Sequence, residues 1–185
     1  MPRPLFILSR EKERADIDRV TFDPAKRELL YQMIEAVWSV REKGQVTEVE
    51  LSPIRRGFAV PEEGVWSRAG GWLAKLVDFA PELTAVVDEL AAHRNEEIRC
   101  RLCATLTDRH YPDAFIWPRL KRFLTDRSDL VRDMAVRVCI KRQGTKMVPA
   151  LEAALDAEQD EGRRNRLKMA LALIRGEPYW LTEEE

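Results

Sequence analysis

The second half of the chain repeats one pattern, in which an amphipathic helix is followed by a short polar turn and a second amphipathic helix. The pattern is clearest from Arg119 to Gly144, where apolar residues recur at helical spacing on both sides of a polar turn. Weaker copies precede and follow this stretch, with a period of about 31 to 34 residues. A single helical hairpin cannot bury both of its apolar stripes, so such hairpins stack against one another. The repeat therefore predicts an all-α fold.

The repeated segment covers residues 81–175 and predicts six helices that pair as three hairpins. Polar, proline or glycine residues separate the helices, and each helix carries apolar residues on one face. The predicted helices cover residues 81–92, 96–109, 112–124, 128–142, 145–157 and 161–175.

The central hairpin carries residues whose types and spacing are typical of a known repeat. They are a proline in the first helix, an aspartate in the turn, a Val-Arg pair entering the second helix and a small residue soon after: Pro118, Asp126, Val131, Arg132 and Ala135. This pattern resembles HEAT repeats over residues 81–175. The resemblance implies a short right-handed α-α superhelix of about three hairpins, with an N-terminal helical cap.

The first and last hairpins depart from this pattern. The last hairpin has Pro149, but Asn165 stands where HEAT repeats have an apolar residue. The first hairpin lacks the proline, and His93 stands where the turn aspartate is expected. Terminal repeats are expected to be atypical because one face of each must meet water.

Two turn aspartates each precede an arginine by six residues, Asp126 before Arg132 and Asp160 before Arg166. A turn aspartate can cap the helix that follows it. The arginine can reach a carboxylate in its own turn or in the next repeat. We therefore expect these four residues, together with Arg99, to form a structural ladder of charge-assisted hydrogen bonds between repeats.

The N-terminal 80 residues are less regular. Residues 1–22 have no clear periodicity and predict either an arm over the body of the protein or a partly disordered segment. A helix is predicted over 24–43, because Asp23 can cap it and Pro24 suits its first position. A second helix is predicted over 62–80.

Residues 45–61 break the helical pattern. Apolar and polar residues alternate from Val46 to Leu51, which favours a short strand and one small β-hairpin. We expect one continuous structural unit with three parts. These are an N-terminal arm with capping helices over 1–80, HEAT-like repeats over 81–176 and an acidic tail over 177–185.

Charge is distributed unevenly, although the net charge is only −1. Residues 94–175 contain 18 Lys or Arg against 12 Asp or Glu, a surplus of 6 positive charges. Second helices line the concave face of HEAT stacks, and there we expect a basic stripe that binds an acidic protein surface or a phosphate backbone. Intrahelical pairs such as Asp133–Arg137 would neutralise part of it. The stripe consists of Arg101, Arg137, Lys141, Arg164 and Lys168.

The sequence favours binding over catalysis. Neither His93 nor His110 has a serine or cysteine partner at a spacing typical of a nucleophile, and there is no glycine-rich phosphate loop. Cys100 and Cys103 superficially suggest a metal site, but the two histidines bracket their helix too far apart to share one ion. Together with Cys139 they are interpreted as reduced core thiols. We therefore expect no catalytic residue, no metal and no cofactor.

The function that the sequence favours is a cytoplasmic protein-protein interaction or adaptor module without a membrane span. The alternative is nucleic-acid binding, either through the basic stripe, as in HEAT-like DNA glycosylases, or through a winged helix. In the winged helix, Thr47 would cap a short second helix and Arg68 would face the DNA groove. A third hypothesis is an accessory, lyase-like role, as in HEAT proteins of pigment attachment, for which the sequence offers no residue.

Overall fold

A computed structural model describes residues 9–21, 23–77, 80 and 82–178. Within these residues the chain forms ten α-helices, a single 3-10 turn at Thr145–Met147 and no β-strand. The all-α prediction is therefore confirmed. The first residues of the arm and nearly all of the acidic tail lie outside the described residues. The helices are α1 Arg10–Val20, α2 Pro24–Lys43, α3 Glu48–Ala59, α4 Glu63–Leu76, α5 Leu83–Ala91, α6 Glu96–Thr105, α7 Asp113–Leu124, α8 Asp129–Lys141, α9 Val148–Ala157 and α10 Glu161–Arg175.

The chain divides into two compact units, residues 1–94 and 95–185. The first unit contains α1 to α5 and the second contains α6 to α10. The boundary lies in the turn between α5 and α6, inside the segment where the sequence predicts the first hairpin. No described helix combines the length and the apolar character that crossing a bilayer requires.

The predicted β-hairpin over 45–61 is wrong, because most of this segment forms α3. The backbone N–H of Thr47 donates to the Glu50 carboxylate at 3.0 Å, and the Thr47 side chain accepts from the first turn. This reciprocal capping box starts a helix. Leu51 is buried whereas Val49 is 79% exposed, so the alternating residues do not lie on two faces of a strand. The buried residues of α3 recur at helical spacing: Glu50, Leu51, Pro53, Ile54, Gly57 and Phe58.

Residues 10–20, in which the sequence shows no clear periodicity, form helix α1. The Ser9 side chain caps this helix. Only Glu13 and Ile17 of α1 are buried, so the sequence lacks the apolar stripe by which periodicity detects a helix. Ion pairs join α1 to its neighbours in the first unit, among them Arg14 to Glu35 at 2.8 Å and Asp16 to Arg68 at 2.6 Å.

Helix α2 is central to the first unit and packs against α1, α3 and α4. It begins as the sequence predicts, because the Asp23 carboxylate accepts the backbone N–H groups of Ala25 and Lys26 and Pro24 occupies the first position. It ends at Gly44, which has a φ of 65°. A residue with a Cβ atom would be strained in this left-handed conformation.

Gly57 lies at a close approach of α3 to α2 and α4. A Cβ atom at this position would lie 2.7 Å from Cε of Met33 and 2.9 Å from Cβ of Ala69. The Met33 side chain can turn aside, but the Ala69 Cβ can move only with the backbone of α4. We expect Gly57→Ala to lower the free energy of unfolding by about 1–3 kcal/mol, measured by urea denaturation.

Gly64→Ala is the matched control for this substitution. Gly64 is exposed in α4, and a Cβ atom there would meet no other atom within 4 Å. We expect it to leave the free energy of unfolding unchanged or to raise it by up to about 1 kcal/mol, because alanine has the higher helix propensity. Equal stability of the two variants would contradict the close approach at Gly57.

In the second unit, α6, α8 and α10 pack in a row, with α8 in contact with both neighbours. Helix α7 contacts α8 and α9, and α9 contacts α10. Two antiparallel hairpins, α7–α8 and α9–α10, therefore stack in this unit with α6 packed beside the first. Its fully buried side chains include Leu102, Cys103, Ile116, Leu120, Phe123, Val131, Ala135, Val138, Cys139, Leu151 and Ala170.

Candidate functional site

A buried ion pair joins α6 to the turn that precedes α8. The Arg99 guanidinium donates two hydrogen bonds to the Asp126 carboxylate, from Nε at 2.9 Å and from Nη2 at 2.7 Å. The two side chains are 4% and 11% exposed. Burial raises the pKa of Asp126, but hydrogen bonds from Arg99 and from the Ser128 N–H outweigh it, so the pKa lies below its ordinary value. The carboxylate therefore stays ionised and bound at neutral pH.

The contacts of this turn recur one repeat later with other residues. Arg132 donates to the carbonyl oxygen of Asp126 at 2.8 Å, and Arg164 donates to that of Glu158 at 2.9 Å, six residues earlier in each case. Glu158 accepts the backbone N–H of Asp160, two residues ahead, as Asp126 does with its own second neighbour. The last repeat thus corresponds to the central one at an offset of 32 residues, with Glu158 equivalent to Asp126.

Asp160 and Arg166, the other two ladder residues predicted from the sequence, lie elsewhere. Asp160 is the N-cap of α10 and accepts the backbone N–H of Arg163 at 2.8 Å. Arg166 is paired with Asp133 of α8 at 3.2 Å. In the turn before α10 the arginines therefore contact Glu158. The sequence comparison instead matches Asp160 to Asp126.

Three of the five bases predicted for the stripe have partners inside the second unit. Arg101 is largely buried and pairs with Glu97 at 2.6 Å. Arg164 donates to the turn carbonyl groups before α10. Lys168 is more exposed and lies 3.9 Å from the Glu161 carboxylate. The structure therefore does not gather all five bases into one exposed stripe.

Arg137 and Lys141 of α8 differ from these three. Both are exposed, and they are the two bases on α6, α8 and α10 that form no ion pair with a residue that the structure describes. The expected pair between Asp133 and Arg137 does not form, because Asp133 binds Arg166 instead.

Exposed apolar side chains occur at helical spacing from these two bases on α8 and at an equivalent position on α10. Leu130 of α8 is 47% exposed and Leu173 of α10 is 52% exposed. At the offset of 32 residues, Leu173 occupies the position on α10 that Lys141 occupies on α8. Residues spaced by three and four share one face of a helix. The resulting α8–α10 face consists of Leu130, Met134, Arg137, Lys141, Met169 and Leu173.

The three thiols are buried and protonated. Burial raises the pKa of Cys100 and Cys103, and it raises that of Cys139 to about 12. A thiol in this state is a weak nucleophile and a poor metal ligand at neutral pH. In the part of the chain that the structure describes, no three His, Cys, Asp or Glu side chains are placed to hold a metal ion.

The winged-helix hypothesis does not fit the first unit. Thr47 does cap α3, as that hypothesis requires. Arg68, however, donates to Asp16 of α1 at 2.6 Å, and Pro53 lies inside α3. No strand that could form a wing occurs among the described residues.

A cavity of about 430 Å³ lies between the hairpins α7–α8 and α9–α10. All four helices contribute to its lining, and four alanines of α9 form one wall: Ala150, Ala153, Ala154 and Ala157. A second depression, of about 890 Å³, follows α2 in the first unit, where ion pairs such as Arg14–Glu35 occupy its polar lining. The sequence interpretation missed the cavity between the hairpins. The sequence feature that indicates this cavity is the spacing of the alanines in α9, which puts all four small side chains on one helix face.

The comparisons with known proteins agree with the repeat contacts. A family model described as HEAT repeats matches residues 83–172, which extend from α5 into α10. No curated protein and no solved structure matches the chain. HEAT repeats commonly serve as protein-interaction modules, because stacked hairpins present an extended surface. Residues 83–172 therefore belong to the HEAT-repeat family.

Proposed function

We propose that the protein is a non-catalytic binding module whose α8–α10 face binds another protein. The observation that carries this proposal is the pair Arg137 and Lys141, exposed on α8 without an acidic partner among the described residues. Every other base on α6, α8 and α10 pairs with an acid of its own unit. Two unpaired cations on one face favour a partner that supplies the missing carboxylates.

The apolar side chains of the same face support a protein partner. Leu130 and Leu173 each leave about half of their surface in water. Burying them in an interface would add hydrophobic stabilisation of roughly 25 cal/mol per Å² of apolar area, whereas the bases would fix orientation and raise the association rate. Exposed apolar side chains beside charged ones are typical of a protein-protein interface.

Nucleic-acid binding is the alternative to a protein partner. Affinity for a phosphate backbone depends on the number of cations that contact phosphates. Arg101, Arg164 and Lys168 have intramolecular partners, so only two of the five predicted bases remain to meet phosphates. Such a face predicts weak nucleic-acid binding with a shallow salt dependence.

Capture from a lysate of the source organism, with and without nuclease, tests the proposal. We expect the wild-type protein to capture one or more proteins in a nuclease-resistant manner. The double variant R137E/K141E should reduce that capture at least about tenfold, because it turns attraction to an acidic partner into repulsion.

The matched control is R122E/K146E, which changes the net charge by the same amount. Both of its residues are exposed in the second unit but lie outside the α8–α10 face. The control should capture the same proteins as the wild type. If R137E/K141E also captures them undiminished, this face is not the binding site. If nuclease abolishes capture, the partner is a nucleic acid instead.

A further inference from the structure

The cavity between the hairpins α7–α8 and α9–α10 exists because α9 has small side chains where its neighbour has large ones. Helix α7 buries Ile116, Leu120, Phe123 and Leu124. Helix α9 buries only Leu151, and its alanines leave the space between the two hairpins unfilled. Ligand cavities in proteins typically enclose about 300–1,000 Å³, so the 430 Å³ found here is enough for a small organic molecule.

The walls of this cavity are apolar on two sides. Leu124 of α7, Val136 of α8 and Leu167 of α10 face the alanine wall of α9. An apolar body placed between these walls would remove both its own surface and theirs from water.

The rim of the cavity is charged, with a surplus of bases. Four bases and three acids line it: Lys121, Arg132, Arg163 and Arg166, with Asp126, Asp133 and Glu158. Each of the three acids is already bound by an arginine: Asp126 by Arg99, Asp133 by Arg166 and Glu158 by Arg163.

Lys121 is the exception on this rim. It is exposed near the end of α7, and it forms no ion pair with any residue that the structure describes. Its ammonium group can bind an anion without displacing an acid of the protein, and no carboxylate of the lining remains unbound to repel that anion.

We propose that this cavity binds a small amphipathic carboxylate, with its apolar chain against the alanines of α9 and its carboxylate at Lys121. The site is separate from the α8–α10 face and does not depend on the proposed protein partner. Because Leu124, Val136 and Leu167 are buried and Lys121 is exposed, the ligand binds with its chain inward and its carboxylate at the surface.

Octanoate is the probe for this site, and octan-1-ol is its neutral counterpart. The isotope-labelled full-length protein is titrated with each probe while its amide chemical shifts are measured. The shift changes should be concentrated at the lining residues of α7 and α9. Octanoate should bind more tightly than octanol. Lys121→Gln should weaken octanoate binding by about fivefold and leave octanol binding unchanged, because only octanoate uses the ammonium group.

Filling the cavity provides an independent test. Ala154 lines the cavity and is half-buried, so A154L should abolish the binding of both probes without lowering the midpoint of thermal unfolding. A157L, at a more exposed position of the same wall, takes its place if A154L does not fold. The control is A114L on α7, at an exposed alanine outside the cavity, which should bind octanoate like the wild type.

Three results would overturn the proposal. The first is a set of octanoate shifts that lies outside the cavity lining. The second is unchanged octanoate binding by the filled variant. The third is equal affinity for octanoate and octanol, which would show that the carboxylate of the ligand does not contribute to binding. None of these results bears on capture of a protein by the α8–α10 face, so the two proposals can fail separately.

Discussion

Replacing Asp126 by alanine is expected to lower the free energy of unfolding by about 3–5 kcal/mol. The substitution leaves the Arg99 guanidinium, whose side chain is 4% exposed, without its carboxylate. It also removes the acceptor for the backbone N–H of Ser128 at the start of α8. An uncompensated buried charge costs more than the intact pair contributes, because the guanidinium has lost its water and gained nothing in return.

Urea denaturation followed by circular dichroism measures this effect, and hydrogen exchange locates it. Amides of α6 and α8 should exchange faster in Asp126→Ala than in the wild type, because these helices meet at the pair. The control is Asp156→Ala, which removes an exposed carboxylate of α9 that has no hydrogen bond or ion pair among the described residues. It should change the free energy of unfolding by less than about 0.5 kcal/mol. Equal losses in the two variants would show that the buried pair is not a stabilising contact between repeats.

The sequence predicts the helices of the repeats well because their signals are local. Proline and aspartate mark the start of α2, and apolar residues at helical spacing mark α7, α8 and α10. The turn contacts are harder to predict because they join residues that are distant in sequence. Asp126 and Arg132 are six residues apart, yet the Asp126 carboxylate binds Arg99, 27 residues away. Arg132 contacts only the backbone carbonyl of Asp126, and its guanidinium also lies 3.9 Å from the Glu158 carboxylate of the next turn.

The register of the last repeat shows a second limit. A comparison by residue type pairs Asp126 with Asp160, but the position equivalent to Asp126 holds Glu158, and Asp160 is the helix cap. A longer acidic side chain can fill the same place in a turn, so identity alone gives a register shifted by two residues. The cavity is harder still to foresee, because four alanines become a wall only once the opposing helix is in place.

The prediction for residues 45–61 is wrong for a different reason, because two local signals in this segment disagree. The alternation from Val46 to Leu51 favours a strand, whereas Thr47 and Glu50 have the spacing of a capping box. The capping box prevails because Glu50 has further partners on α2, which are Ser39 and Lys43. Tertiary contacts of this kind are not visible in a single sequence.

Glu50→Ala should therefore lower the free energy of unfolding by about 2–3 kcal/mol. Glu50 is buried, and its carboxylate accepts hydrogen bonds from the Thr47 N–H at 3.0 Å, the Thr47 hydroxyl and the Ser39 hydroxyl at 2.8 Å. Alanine leaves these donors without an acceptor at the junction of α2 and α3. Urea denaturation checks the value, with Glu63→Ala as the control, because Glu63 is an exposed acid in the first turn of α4.

The same carboxylate predicts how stability depends on pH. The Thr47 hydroxyl, together with the other donors, lowers the pKa of Glu50 from its ordinary value of 4.5 to about 2 in the folded protein. A depressed folded-state pKa adds stability above pH 4.5, and this contribution disappears as the pH falls from about 4.5 towards 2. Glu50→Gln keeps an acceptor oxygen but has no charge to titrate, so its free energy of unfolding should fall less steeply over this range than that of the wild type. Identical acid dependence of the two proteins would contradict the assignment of Glu50 as an ionised, hydrogen-bonded cap of α3.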